Sequence, residues 1–376
     1  MKAKHTYPWL HEADHDRIDY NNGDFMKKSA LALAILAALS LNASAQTNVQ
    51  VYGIVDAGVE YVNHAAANDG SQVRVISGGK NTSRWGFRGS EDLGGGLKAI
   101  FNLEGGILMD TGAQDGNLFK RQANVGLEGG FGQVIIGRSF TTTYDLVIKF
   151  DPMGFAPNYS WATSGSATGP SKYGMTTAFD NLIKYTGRTG GFTYGATIGM
   201  GEQAGNNADS RKYAVGGSWF GGGFGAMAAY EQVNGNTVVA TGNRDKTTAF
   251  HLGGEYKAGP MTYQVGMRGY KLQAGKAATP DLRGDTYWAG ATYLVYPWTL
   301  TGAVYHVNTK NLPTAKDADP TMYVARAMYS LSKQVWLYAA VAHASADHGQ
   351  LVGLSRDDPG FGTTQTGVTT GIQYRF

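Results

Sequence analysis

The sequence predicts an all-β fold, a transmembrane antiparallel β-barrel of about 16 strands with one long loop folded into its interior. Three observations predict it. Segments of about ten residues alternate apolar and polar side chains, as a wall with one lipid face and one wet face requires. The connections between them alternate between brief and long, which is how the two rims of such a barrel differ. The body of the chain carries no run of eighteen or more apolar residues, so helices do not span the membrane.

Composition narrows the class. Of the 376 residues none is cysteine, which excludes disulfides and thiolate metal sites. A mean hydropathy of −0.27 would ordinarily suggest a soluble chain, but barrel strands average a wet and a dry face and leave hydropathy near neutral. The net charge of +3 favours neither nucleic acid nor an acidic partner.

The amino end reads as an export signal. From Met26 come Lys27 and Lys28, an apolar stretch from Ala30 to Leu41, and Ala43-Ser44-Ala45 before Gln46. A positive start, a short apolar core and a small-residue cleavage site define a secretory signal over 26–45. The apolar stretch is far short of the roughly 20 residues of a membrane anchor. Residues 1–25 precede the signal and are expected to be absent from the mature protein, whose body is 46–376. His11-Glu12-Ala13-Asp14-His15 matches the helical zinc motif H-E-x-x-H. It lies ahead of the signal and would be removed, so neither a metal nor a cofactor is expected.

Along the body, Val49–Tyr61 has apolar or small residues at odd positions and Gln50, Asp56 and Glu60 at even ones, a strand with one wet face. The same period returns in 97–104, 213–219, 250–256, 261–270, 323–331, 335–341 and 366–376. Brief turns fall at 92–96, 129–130, 190–191, 221–223, 259–260, 296–297 and 332–333, and longer polar connections at 63–71, 201–210, 234–246, 272–282, 310–319 and 347–363. The exception is Gly137 to Asp180, which shows neither an amphipathic strand nor a complete helix. Loops this long are uncommon unless they work, so the segment is expected to enter and narrow the barrel over 139–180. Asp145, Lys149 and Asp151 would then be charges on a constriction.

These features resemble the general trimeric porins of the Gram-negative outer membrane over essentially all of 46–376. The specific matches are Val51-Tyr52-Gly53, the run Ser83 to Ala99, Arg121 to Leu127, Gly137-Arg138 and the closing Tyr374-Arg375-Phe376. The resemblance implies a homotrimer in the outer membrane, in contact with its bilayer and lipopolysaccharide, passing ions and small hydrophilic solutes by passive diffusion. It implies no catalysis. It also implies that Phe376 is the signal read by the outer-membrane assembly machinery.

The pore residues come from alternation and from the resemblance together. Arg84, Gly86 and Arg88 share a face opposite Trp85 and Phe87, which points both arginines into the lumen. The family's basic ladder falls on Arg84 and Arg121. Alternation with Ala123, Val125 and Leu127 would by itself turn Arg121 outward. Lys184, between Ile183 and Tyr185, is a third basic candidate. Glu104 lies on a wet strand face, and Asp145 and Asp151 fall where the family carries its acidic edge. Opposed fixed charges orient solutes and favour anions where arginine dominates. The competing reading is that such residues pair with neighbours and pin the loop. Trp336 and Tyr338 face inward by parity. Competing functions are a solute-specific channel, an adhesin or receptor that uses the long loops, and a barrel enzyme, for which no convergent nucleophile or acid pair is found.

Overall fold

The computed structural model describes residues 48–163, 173–310, 318–356 and 360–376. The export signal and the H-E-x-x-H motif lie outside the described residues. The strands are β1 (Asn48–Val62), β2 (Gln72–Ser77), β3 (Arg84–Gly94), β4 (Leu97–Gly106), β5 (Gln122–Gly129) and β6 (Gly132–Phe140). Then follow β7 (Ala178–Thr189), β8 (Phe192–Gly199), β9 (Lys212–Gly221), β10 (Phe224–Thr237), β11 (Arg244–Ala258) and β12 (Met261–Gln273). The last five are β13 (Leu282–Val295), β14 (Trp298–Lys310), β15 (Thr321–Ser330), β16 (Val335–Ser345) and β17 (Thr364–Arg375).

Apart from β2 and β3, which both pair with β1, consecutive strands pair antiparallel, and β17 returns to β1 in the register Ile54↔Arg375 through Val62↔Gly367. The sheet is therefore a closed barrel with no open edge at the seam, as spanning a bilayer demands. The last residue completes the closure: Gly53 and Phe376 exchange backbone hydrogen bonds of 3.0 and 3.2 Å. Seventeen segments make sixteen staves, because β2 and β3 pair with successive halves of β1 and form one interrupted strand. The interruption, residues 78–83, begins with Gly78 at φ +82°, a conformation that favours glycine. Ser83 Oγ holds the break closed, accepting from the Asp56 amide at 3.0 Å and donating to the Asp56 carbonyl at 2.9 Å.

Side chains divide by parity. Val125, Ile136, Val265 and Val368 are exposed on the outer face, whereas Asp56, Glu104, His251 and Arg268 are buried within. The brief turns lie at one rim and the long connections at the other, in the alternation the sequence predicts.

The inner loop, of which residues 141–163 and 173–177 are described, enters the interior. It is shorter than its sequence expectation because Gly137–Phe140 finish β6 and Ala178–Asp180 begin β7. It also contains a helix the sequence reading denied, α1 (Thr142–Val147), followed by a 3-10 turn at Ile148–Phe150. Six residues are too few to display a 3.6-residue period. The helix is started by Thr141, whose Oγ1 accepts from the Tyr144 amide at 3.0 Å. Phe150, Tyr159 and Trp161 of this loop are fully buried, so the hydrophobic core lies between the loop and the barrel wall.

The inner loop and the cavity beside it

The inner loop is fastened along most of the far wall. Thr142 bonds Thr197 of β8 through both backbone and side chain. Phe150 stacks on Phe220 of β9 at 5.2 Å, and its carbonyl accepts from Trp288 Nε1 of β13 at 2.9 Å. Gln264 of β12 donates to the Lys149 carbonyl at 2.7 Å. Arg326 of β15 donates to the Met153 carbonyl at 3.2 Å, and Arg268 of β12 donates to the carbonyls of Ala162 and Trp161. Asn158 and Tyr159 reach Glu60 of β1 and Thr369 of β17. Glycines on the wall make room for this contact. A Cβ at Gly290 would stand 2.5 Å from Pro152, and one at Gly253 2.8 Å from Phe150.

A second loop, of which residues 346–356 and 360–363 are described, packs onto the first through residues 352–356. Val352 and Leu354 are 0% and 1% exposed, the Arg356 amide donates to the Pro157 carbonyl at 3.0 Å, and Ser355 Oγ donates to Asn158 at 3.3 Å. This part of the connection, a candidate receptor loop in the sequence reading, is interior structure.

The side of the inner loop not packed on the far wall faces a cavity of about 680 Å³, bounded by residues from the β2–β3 break through β6. Arg84, Lys120, Arg121, Arg138 and Arg356 line it, and Asp115 is the single carboxylate among its described lining residues. Along the loop's edge Phe140 stacks on Tyr144 at 4.3 Å, and Tyr144 meets Phe155 edge-on at 5.0 Å. Arg121 lies over the Phe140 ring at 5.1 Å. Cationic and aromatic side chains thus line the same opening, in contact where Arg121 covers Phe140.

The sequence-derived residues fall into three groups. Arg84 and Arg121 meet in the cavity. Parity failed for Arg121 because it precedes β5: its side chain turns in to Glu104, with Nε 2.6 Å from Oε1. Among the described residues no carboxylate forms a salt bridge with Arg84, and its Nε has no hydrogen-bond partner. Arg88 faces the same way but lies two pleat repeats beyond Arg84, outside the cavity lining, over the Tyr52 ring and bonded to Gln50 at 3.1 Å. Lys184 is buried and fastens the loop, donating to the Phe140 carbonyl at 2.9 Å and pairing with Asp145.

The acids are engaged. Glu104 also accepts from the Tyr52 hydroxyl at 2.8 Å. Asp151 is buried inside the loop rather than displayed on it. It accepts from the amides of Met153 and Phe155 at 3.2 and 2.6 Å, from Ser160 Oγ at 2.8 Å and from the Tyr305 hydroxyl. Lys149 sits on the 3-10 turn, where burial and nearby Arg188 draw its ammonium below the usual lysine range. Tyr338 faces inward as parity requires and donates to Asp56 at 2.7 Å. Arg268 and Arg326 were not singled out from the sequence, although each alternates with outward residues (Val265 and Met267, Ala325 and Ala327) and was findable by the period that located Arg84.

Comparison with known proteins agrees with this architecture. The chain is 34% identical over 369 residues to outer membrane porin protein 32 of Delftia acidovorans, covering 93% of this chain and 100% of that one. It is also 34% identical over 261 residues to an outer membrane porin protein of Bordetella pertussis, covering 61% and 66%. Among solved structures it is similar to an anion-selective porin from Comamonas acidovorans, with TM-score 0.76, 28% identity and coverage of 88% and 100%. The trimer form of OmpT, an outer membrane protein of Vibrio cholerae, shares the fold at TM-score 0.65 and 17% identity, covering 88% and 99%. The Gram-negative porin family model matches residues 32–349. The closed barrel, its interior loop and these likenesses together place the protein in the outer membrane as a channel for small solutes, and the chain belongs to the Gram-negative porin family.

Proposed function

We propose that the channel conducts small hydrophilic solutes without catalysing any reaction and prefers anions, with Arg84 and Arg121 setting the field at its narrowest ring. The observation that carries this reading is the charge around the cavity: five cationic side chains line it, Lys120, Arg121 and Arg138 are paired with Asp115, Glu104 and Asp180, and among the described residues Arg84 has no carboxylate salt bridge. Glu104 pairs with Arg121, whereas among the described residues no carboxylate forms a salt bridge with Arg84. Arg88 extends the basic line along the lumen. Lys184, Asp145 and Asp151 hold the loop in place and act on the pore through its position. The anion selectivity of the Comamonas relative supports the same sign.

The test is a reversal potential in a planar bilayer under a salt gradient. The native chain is expected to favour anions. Arg84→Ala is expected to lower the anion-to-cation permeability ratio about fivefold, the equivalent of ~1 kcal/mol for a charge at contact distance in water. An unchanged ratio removes Arg84 from the constriction.

A second reading has one observation behind it, the aromatic edge Phe140–Tyr144–Phe155. It is a surface along which a flat or sugar-like solute could slide, so saturable block by one such solute would mark a solute-specific channel. We also infer assembly as a trimer, supported by the Vibrio fold relative and by the shortness of β2 and β5. The terminal Phe376, paired to Gly53 at the seam, would present its ring for recognition during insertion. Cross-linked mass in mild detergent tests the trimer.

A further inference from the structure

The inner loop carries more apolar surface than its seating uses. On α1, Leu146 is 2% exposed and Val147 0%, and a Cβ at Gly216 of β9 would stand 2.8 Å from Leu146. Tyr144 and Ile148, four residues apart and so on one helix face, are instead half-buried and line the cavity. Phe140 ahead of the helix, and Phe155 and Met175 beyond it, line the same space. Its volume of about 680 Å³ falls within the roughly 300–1,000 Å³ of small-molecule sites, which are lined mainly by apolar and aromatic groups with a few placed charges. Such a lining gives a fully hydrated ion nothing that water does not. It stabilises a solute that brings apolar surface of its own.

Charge lies beside the ring surface. Arg121 covers the Phe140 ring at 5.1 Å, and Phe140 stacks on Tyr144 at 4.3 Å with the planes 13° apart. Arg84 lines the cavity with them and, among the described residues, forms no salt bridge with a carboxylate. A guanidinium takes a carboxylate through two parallel N–H donors, and an aromatic face takes a second ring in offset stacking. Guanidinium and ring are adjacent here, so the solute that satisfies both has its carboxylate bonded directly to a flat ring.

We propose that the cavity is a binding site for aryl carboxylates, with the carboxylate on Arg84 and Arg121 and the ring on Tyr144 and Ile148. The channel then favours these acids over aliphatic acids of the same charge. The assignment rests on the anion preference proposed above and names the solute class of that same site. A ring seated there removes the open faces of Tyr144 and Ile148 from water, which chloride or acetate leaves wet.

Block of the chloride current in planar bilayers at neutral pH tests it, with sodium benzoate, acetate and cyclohexanecarboxylate as the probes. Benzoate is expected to block the native channel saturably, at roughly a tenth of the half-blocking concentration of acetate. Cyclohexanecarboxylate, apolar but without a π-face, is expected to fall between them. The benzoate-to-acetate ratio is read within each protein, so a conductance change common to all solutes cancels. Tyr144→Leu, which keeps an apolar side chain and removes the ring, is expected to bring the two acids together. Tyr144→Phe is expected to keep the native ratio, and Arg84→Ala to weaken both acids alike. Equal block by benzoate and acetate in a native channel that still prefers chloride to sodium overturns the proposal and leaves the anion preference standing. Equal block by benzoate and cyclohexanecarboxylate, or a native ratio in Tyr144→Leu, also overturns it. A native channel that prefers sodium overturns both.

Discussion

At the scale of single residues, the charges of this channel divide into those that face the opening and those used to hold it open. Asp151 is the clearest of the second kind, since one buried carboxylate accepts two amides and two hydroxyls. Asp151→Ala leaves these donors unsatisfied and is expected to lower the stability of the folded barrel by about 3 kcal/mol, read as a shift of the urea midpoint in detergent. An unshifted midpoint would mean the loop closes without it. Sequence period alone identified Arg84 and Glu104, because both sit on regular strands where side chains must alternate. It misdirected Arg121, one residue ahead of its strand, and could not foresee the burial of Asp151, expected on the constriction, whose partners are made only by the folding of an irregular loop.

At the scale of elements, the inner loop is positioned by wall residues spread over most of the barrel and by a second loop from above. Gly290→Val places a side chain where Pro152 already stands, at 2.5 Å. Overpacking of this kind costs about 1–3 kcal/mol, and its relief is a shift of the loop toward the cavity. The expected outcome is a smaller single-channel conductance at unchanged barrel assembly, and a conductance equal to the native value would place the slack elsewhere. Leu354→Ala, in the second loop, is expected to cost about 3 kcal/mol and to increase open-channel noise, since it removes a buried side chain that keeps the two loops together. Quiet native-like currents with an unchanged unfolding midpoint would contradict it. The strands and the alternation of their turns were legible in the sequence because lipid and water impose a period of two at every position. The broken strand β2–β3 was not, although Ser77-Gly78-Gly79 marks it, since a glycine pair reads equally as a turn. The packing of residues 352–356 onto the inner loop joins segments far apart in the chain, and no local pattern records it.

At the scale of the whole molecule, a net charge of +3 says little about what passes, because the field at the narrowest ring is set by a handful of side chains. Screening gives a test of this. Raising the salt from 0.1 to 1 M shortens the Debye length from about 10 to about 3 Å, so anion preference is expected to fall steadily across that range. A preference independent of salt would instead indicate steric sieving. The lopsided seating of the inner loop has a further consequence. The cavity lies along one flank, and the wall from β8 to β15 acts on it through the loop it seats. Changes on that wall are expected to reach the current only by moving the loop, as at Gly290, whereas changes beside the cavity are expected to act on the passing ions directly.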